Sequence, residues 1–378
     1  MNLIDTHTPE PAAAESLVGW HARASVRRLS NEDLTALVLF VLTALLIFAS
    51  RWINPSLGSW SEARAILVIS TFVIVVGFGQ QTVILTGGLD LSVGSVMTLG
   101  AILLFSHIGG SSLALIWGIP LVLLITGGIG ALNGICIALL RLPPFIMTLA
   151  MSIILRSAVL GMTGGAPQGT VSSLLTRLFA TDWLGAPPMI YLMVCLTLLA
   201  SLLQRRTAFG RMLYAIGISP DAAYIAGLPV KRVTIICYAI SGAAAGFAGI
   251  LMVGFSDGAS LSSGDNMLFP SIAAVVIGGT SILGGRGNYL GVVGAALLLT
   301  TFSTMISALG IAEGWRIILY GMVILIALLL LSEELRIWVA RQYATLTPPR
   351  LVRVRFWPTR QIVQAHGTQL EPRENENA

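Results

Sequence analysis

The sequence predicts an all-α, polytopic membrane protein with about ten transmembrane helices, and three observations predict it. Of its 378 residues 55% are apolar and only 10% are charged, with a mean hydropathy of +0.86. A soluble domain carries far more charge on its surface. Apolar stretches long enough to cross about 30 Å of hydrocarbon recur along the chain. Finally, Lys and Arg concentrate in alternate loops, as they do where loops face the cytoplasm.

In chain order, residues 1–33 read as a cytoplasmic N-terminal segment, polar and basic toward its end (Arg23, Arg27, Arg28). It has no short apolar run with a small-residue cleavage site, so no cleaved signal peptide is expected. A transmembrane domain follows at 34–332. Its ten candidate spans lie at 34–50, 64–86, 89–107, 113–139, 143–163, 187–203, 232–255, 267–283, 288–309 and 315–332. A cytoplasmic tail, 333–378, is basic and then acidic and Asn-rich ("EPRENENA"), a solvated composition.

Ten spans starting inside place both termini in the cytoplasm. Seventeen Lys and Arg then fall in inside segments, against four outside (Arg51, Arg64, Arg177, Arg316). Trp52, Trp60, Trp183 and Trp315 fall at predicted outer boundaries, where amphipathic rings favour the headgroup region. The stretch 164–186 is the longest exterior loop and the expected docking surface on that face. The net charge of +5 marks membrane orientation and not a nucleic-acid footprint. Cys136, Cys195 and Cys237 lie in apolar stretches and read as small core residues.

One polar interruption stands out. Residues 204–233, "QRRTAFGRMLYAIGISPDAAYIAGLPVKRV", hold five basic side chains: Arg205, Arg206, Arg211, Lys231 and Arg232. Thr207 can cap a first short helix that stops at Gly217. Ser219 at the N-cap, Pro220 in the first turn and Asp221 beside the positive helix end can start a second, which stops at Gly227 before Pro229. Two capped helices in the cytoplasmic loop 204–231 imply a partner.

Two further segments carry breaks. In "TGGLDLSVGSVMTLGA" (86–101), Gly87 and Gly88 interrupt the chain, and Asp90 and Ser92 follow in the first turn of a new helix. Asp90 is the only acidic residue near membrane depth. Such residues are costly, about 2.5–3.5 kcal/mol on insertion scales, and usually face a pathway or a partner; a plain N-terminal cap is the other reading. In "AAVVIGGTSILGGRGNYLGVVGAALL" (273–298), Gly284, Gly285 and Gly291 repeat the spacing of Gly87, Gly88 and Gly94. Matched breaks suggest an internal repeat with a pathway beside it; close helix packing is the alternative. Arg156, inside the fifth span, faces either the bundle interior, a loop or the outer surface.

The chain has a single lysine, Lys231, in "PVKRV". That excludes a G-x-x-x-x-G-K-[ST] phosphate-binding loop, so ATP-driven work requires another polypeptide. Its four histidines are scattered, no His/Cys/Asp group has metal-ligand spacing, and neither catalysis nor a cofactor is expected in this chain.

"GGLDLSVGSV", "PPFIMTLAMSIILRSAVLGMTGG", "FGRMLYAIGISPDAAYIAGLPV" and "AAVVIGGTSILGGRGNYLGVVGA", in that order across about 65–330, resemble the permease subunit of ribose-type (monosaccharide) ABC importers. The resemblance implies the ABC-importer permease fold and a bacterial inner-membrane location. It also implies a second permease copy, a pair of ATPase subunits that bind the ATP, and a periplasmic sugar-binding protein. It implies that Phe209, Gly210, Arg211, Tyr214, Ala215, Gly217, Asp221, Ala222, Ala223 and Gly227 contact the ATPase. The repeated breaks, Gly87, Gly88, Asp90, Ser92, Gly284 and Gly285, are the expected path or gate. Leu268 and Pro270 leave the outer part of the eighth span apolar, where the family pattern carries acids.

A branched-chain amino-acid ABC permease is the nearest alternative; the stretch from Gly88 to Ser92 favours the sugar group. An ion-coupled secondary transporter would carry coupling charges in mid-span, and only Asp90 and Arg156 qualify.

Overall fold

The computed structural model describes residues 31–53 and 58–331. Most of the expected N-terminal segment and all of the tail 333–378 lie outside them. The described residues up to Leu329 belong to one compact unit. Thirteen α-helices and no strand occur among the described residues: α1 Asn31–Ile53, α2 Trp60–Leu85, α3 Val93–Ile102, α4 Ala114–Leu140, α5 Pro144–Thr163, α6 Ser173–Ala180, α7 Pro188–Arg206, α8 Ala208–Ile218, α9 Pro220–Ile225, α10 Val230–Ser256, α11 Leu268–Ile277, α12 Tyr289–Ala308 and α13 Glu313–Leu331.

Local chemistry sets the boundaries. Ser59 caps α2, its Oγ accepting from the Glu62 amide at 3.2 Å. Pro144 and Pro188 occupy the first positions of α5 and α7, where a missing N–H costs nothing. Gly164 closes α5 in the left-handed region.

Each of the ten expected spans contains a helix, yet they are not alike. Among the described residues, seven helices are long and apolar enough to cross a membrane: most of α1, and α2, α4, α5, α7, α10 and α12. The expected span 89–107 instead holds the ten-residue α3, which runs on into a π-helical turn at Leu103–Ile108. The span 267–283 holds the ten-residue α11, preceded by a 3₁₀ turn at Asp265–Met267 and ended at Gly278 and Gly279. The continuous helical runs, Val93–Ile108 and Asp265–Ile277, fall short of the roughly 20 residues that cross about 30 Å of hydrocarbon. Both short helices follow or precede a glycine break, which is why hydropathy alone overestimates their length.

The centre is α2 and α10. From Ser70 to Leu85, α2 is buried at every position except Phe78, and α10 packs against α2, α3 and α4. Small residues permit this. A Cβ on Gly130 would overlap the Tyr238 carbonyl, and one on Gly249 the Met97 carbonyl, so backbones meet where lipid supplies no hydrophobic drive.

The stretch 164–186 is not a free loop. It contains α6, whose Leu175 is buried with Val122, Ile250 and Val253 and whose Phe179 stacks on Phe72. Trp52, Trp60, Trp183 and Trp315 are all exposed.

Candidate coupling site

The polar interruption folds as two capped helices. The Thr207 hydroxyl accepts from the Gly210 amide at 3.1 Å and starts α8, and the Ser219 hydroxyl accepts from the Ala222 amide at 3.3 Å and starts α9. Gly227, at φ +82°, turns the chain toward α10. The inner faces are apolar: Leu213, Ile216 and Ala223 are buried with Val83, Leu85, Val233, Cys237 and Tyr238.

The ten residues expected to meet a partner divide accordingly. Gly210 and Ala223 are buried, and Phe209, Tyr214, Ala215 and Gly217 are half-buried. Arg211, Asp221, Ala222 and Gly227 are exposed. The first six anchor the segment, and only the last four face outward. Three larger apolar side chains share the exposed face and were not singled out in the sequence: Ile218, Tyr224 and Ile225, at 75%, 71% and 85% exposure. Exposed apolar side chains between basic loop residues were the available signal.

The end of α8 lies against both glycine breaks. A Cβ on Gly217 would overlap the Leu85 carbonyl and the Gly285 amide. That same Gly285 amide donates to the Leu85 carbonyl at 3.0 Å. Gly87, Gly284 and Gly285 take φ of +79°, +89° and +74°, which lets the two breaks meet backbone to backbone. Thus Gly87, Gly217, Gly284 and Gly285, from three distant segments, converge. The third glycine of each repeat serves packing: Gly94 meets Gly264, and Gly291 meets Gly278.

Polar side chains tie the same end together. Tyr214 Oη donates to the Gly287 carbonyl at 2.7 Å, and Gln204 Oε1 accepts from the Tyr289 amide at 2.9 Å. Asp33, in the first turn of α1, accepts from Arg205 at 2.5 Å and from Asn288 at 3.2 Å.

Asp90 stands apart from this junction. It is 1% exposed. Its Oδ1 accepts from the Ser92 amide at 3.0 Å and the Ser92 hydroxyl at 2.6 Å, and its Oδ2 accepts from Ser241 on α10 at 2.7 Å. Asn133 on α4 donates to Ser92 Oγ at 3.1 Å. The carboxylate therefore fastens the turn before α3 to α10. Gly88 makes room for Tyr238, whose hydroxyl a Cβ would meet. Arg156 forms a loop contact, an ion pair with Asp265 at 2.5 Å. No group of three or more His, Cys, Asp or Glu able to hold a metal occurs among the described residues.

Residues 63–328 match the family described as the permease component of the branched-chain amino acid transport system. The fructose import permease FrcC of Rhizobium meliloti is 35% identical over 308 residues, covering 77% of this chain and 83% of that one. The ribose import permease RbsC of Escherichia coli K12 is 32% identical over 309 residues, covering 80% and 94%. RbsC of Bacillus subtilis is 35% identical over 264 residues, covering 68% and 80%. No solved structure matches the chain.

Proposed function

This chain belongs to the family of branched-chain amino acid transport system permease components, and from that premise we propose that it is the membrane-spanning subunit of an ATP-driven sugar importer. The relatives above are named as fructose and ribose import permeases, which supports sugar over amino acid as cargo. In this reading the chain lies in a bacterial inner membrane with both termini inside, pairs with a second permease copy, and receives sugar from a periplasmic binding protein. ATP is bound by separate ATPase subunits.

The observation that carries the mechanism is the contact of Gly217 with Leu85 and Gly285. The exposed face of α9, with Ala222, Tyr224 and Ile225, is the handle that an ATPase grips. Because α8 lacks a Cβ where it meets both breaks, displacing α8 displaces the ends of α2 and the turn before α12 together. Packed interfaces of this kind switch between discrete arrangements and do not deform smoothly. ATP binding closes the ATPase pair, moves α8 and α9, and rocks the bundle, so that access alternates. The ATPase must bind the segment differently in its two states for any shift to result.

The test is reconstitution with and without ATP, the ATPase and the binding protein. ATP-dependent sugar uptake is expected. Uptake driven by an ion gradient alone overturns the reading, and uptake of branched-chain amino acids in place of sugar moves the cargo to the nearest alternative.

A further inference from the structure

We propose that a cavity of about 530 Å³ bounded by α2, the 3₁₀ turn before α11, α12 and the start of α13 is a transit site for one monosaccharide, an inference that rests on the importer reading above. Its size falls within the range of about 300–1,000 Å³ typical of small-molecule sites.

The wall supplied by α12 is a stripe of hydroxyls. Thr300, Ser303, Thr304 and Ser307 line the cavity at i, i+3, i+4 and i+7, the spacing that puts them on one helix face. Thr304 Oγ1 donates to the Thr300 carbonyl and Ser307 Oγ to the Ser303 carbonyl, both at 2.9 Å. A hydroxyl that spends its proton on its own helix keeps lone pairs to accept with. Thr304 and Ser307 therefore face the cavity as acceptors, the complement of a polyol's O–H groups. Arg316 Nη1 donates to Ser303 Oγ at 2.9 Å, which leaves the Ser303 proton to donate outward. Phe269 and Tyr320 add rings to the lining, apolar surfaces for the C–H faces of a sugar.

The charges argue against an amino-acid occupant. Asp265 is the sole carboxylate among the described lining residues, and Arg156 already pairs with it at 2.5 Å. Among the described lining residues, an ammonium group entering the cavity finds no carboxylate without a cationic partner. Position fits a path as well. The Tyr289 amide, at the start of α12, is held by Gln204 at the coupling end. Residues 300–307 lie 11–18 positions further along, roughly 17–27 Å away at the helical rise. The cavity thus belongs to the half of the bundle remote from α8 and α9, and none of Gly87, Gly88, Asp90, Ser92, Gly284 and Gly285 lines it.

The experiment uses the complete complex in proteoliposomes, with radiolabelled ribose, fructose and allose as probes. Wild-type complex that imports none of these fails the importer reading and not the site. Given wild-type uptake, Ser303→Trp is expected to lower it about tenfold or more by filling the cavity, with ATP hydrolysis stimulated by the binding protein kept within about twofold. Thr304→Val, which keeps the shape and loses the hydroxyl, is expected to lower uptake about three- to tenfold and to change the relative rates of the three sugars. Unchanged uptake and unchanged sugar preference in Thr304→Val overturn the proposal, as does a parallel loss of ATP hydrolysis and uptake. If the Ser303→Trp complex fails to assemble, Thr304→Val and Ser307→Ala decide by the same criteria.

Discussion

The amide of Gly285 donates to the carbonyl of Leu85 at 3.0 Å, joining the two glycine breaks across 200 positions of sequence. The end of α8 rests on that bond, because Gly217 has no side chain to hold it off. The end of α8, the end of α2 and the turn before α12 therefore meet backbone to backbone, without any flexible side chain in between.

Gly217→Ala should be disruptive, since its Cβ would overlap the backbone of Leu85 and Gly285, which cannot rotate away. Overpacking of this kind costs about 1–3 kcal/mol. Gly128→Ala on α4 is the control: nothing lies within 4 Å of its Cβ. It should be neutral or stabilise by up to about 1 kcal/mol from helix propensity. Thermal melts of the two purified variants make the comparison.

Ser241→Ala should leave Asp90 Oδ2 without its donor in a buried site. The expected cost is about 1–3 kcal/mol, because the partner left behind stays desolvated. A melting temperature equal to wild type would show that the Asp90 cluster does not fasten α3 to α10.

Ala222→Trp and Ile225→Asp both change the exposed face of α9. Neither touches the buried core, so stability should stay within about 0.5 kcal/mol of wild type. Binding of the ATPase and coupled hydrolysis should be lost. Gly217→Asp is a poorer probe of the same interface, since it damages the junction beneath it.

Tyr214→Phe removes the bond to the Gly287 carbonyl. A loss of about 0.5–1.5 kcal/mol is expected. If the tether also transmits motion, uptake per ATP hydrolysed should fall while ATPase binding is unchanged. Equal ratios in variant and wild type would confine Tyr214 to stability.

Much of this was legible in order along the chain. Capping and helix-stop chemistry is local, so Thr207, Ser219, Pro220 and Gly227 announce α8 and α9 by themselves. The Gly-Gly breaks were visible as motifs, but whether they faced a path or each other was not. Asp90 reads from sequence as a costly acid in search of a partner; Ser241, 151 residues away, is that partner, and no spacing rule connects them. The hydroxyls of α12 were present as a period of three and four, yet Ser and Thr bond so readily to their own helix that the pattern gains meaning only beside a cavity.

By itself, then, the sequence determined an all-α membrane bundle and the position of a polar segment that folds as two capped helices. Hydropathy, charge and capping act over a few turns, and they can be read in one dimension. Only the tertiary structure decided that the helices at α3 and α11 are too short to cross the hydrocarbon, that Leu85, Gly217 and Gly285 meet at one point, and that α12 turns its hydroxyls toward a cavity. Each of these depends on which backbones approach across hundreds of residues, and that choice is made by small side chains packing where a bilayer provides no hydrophobic drive.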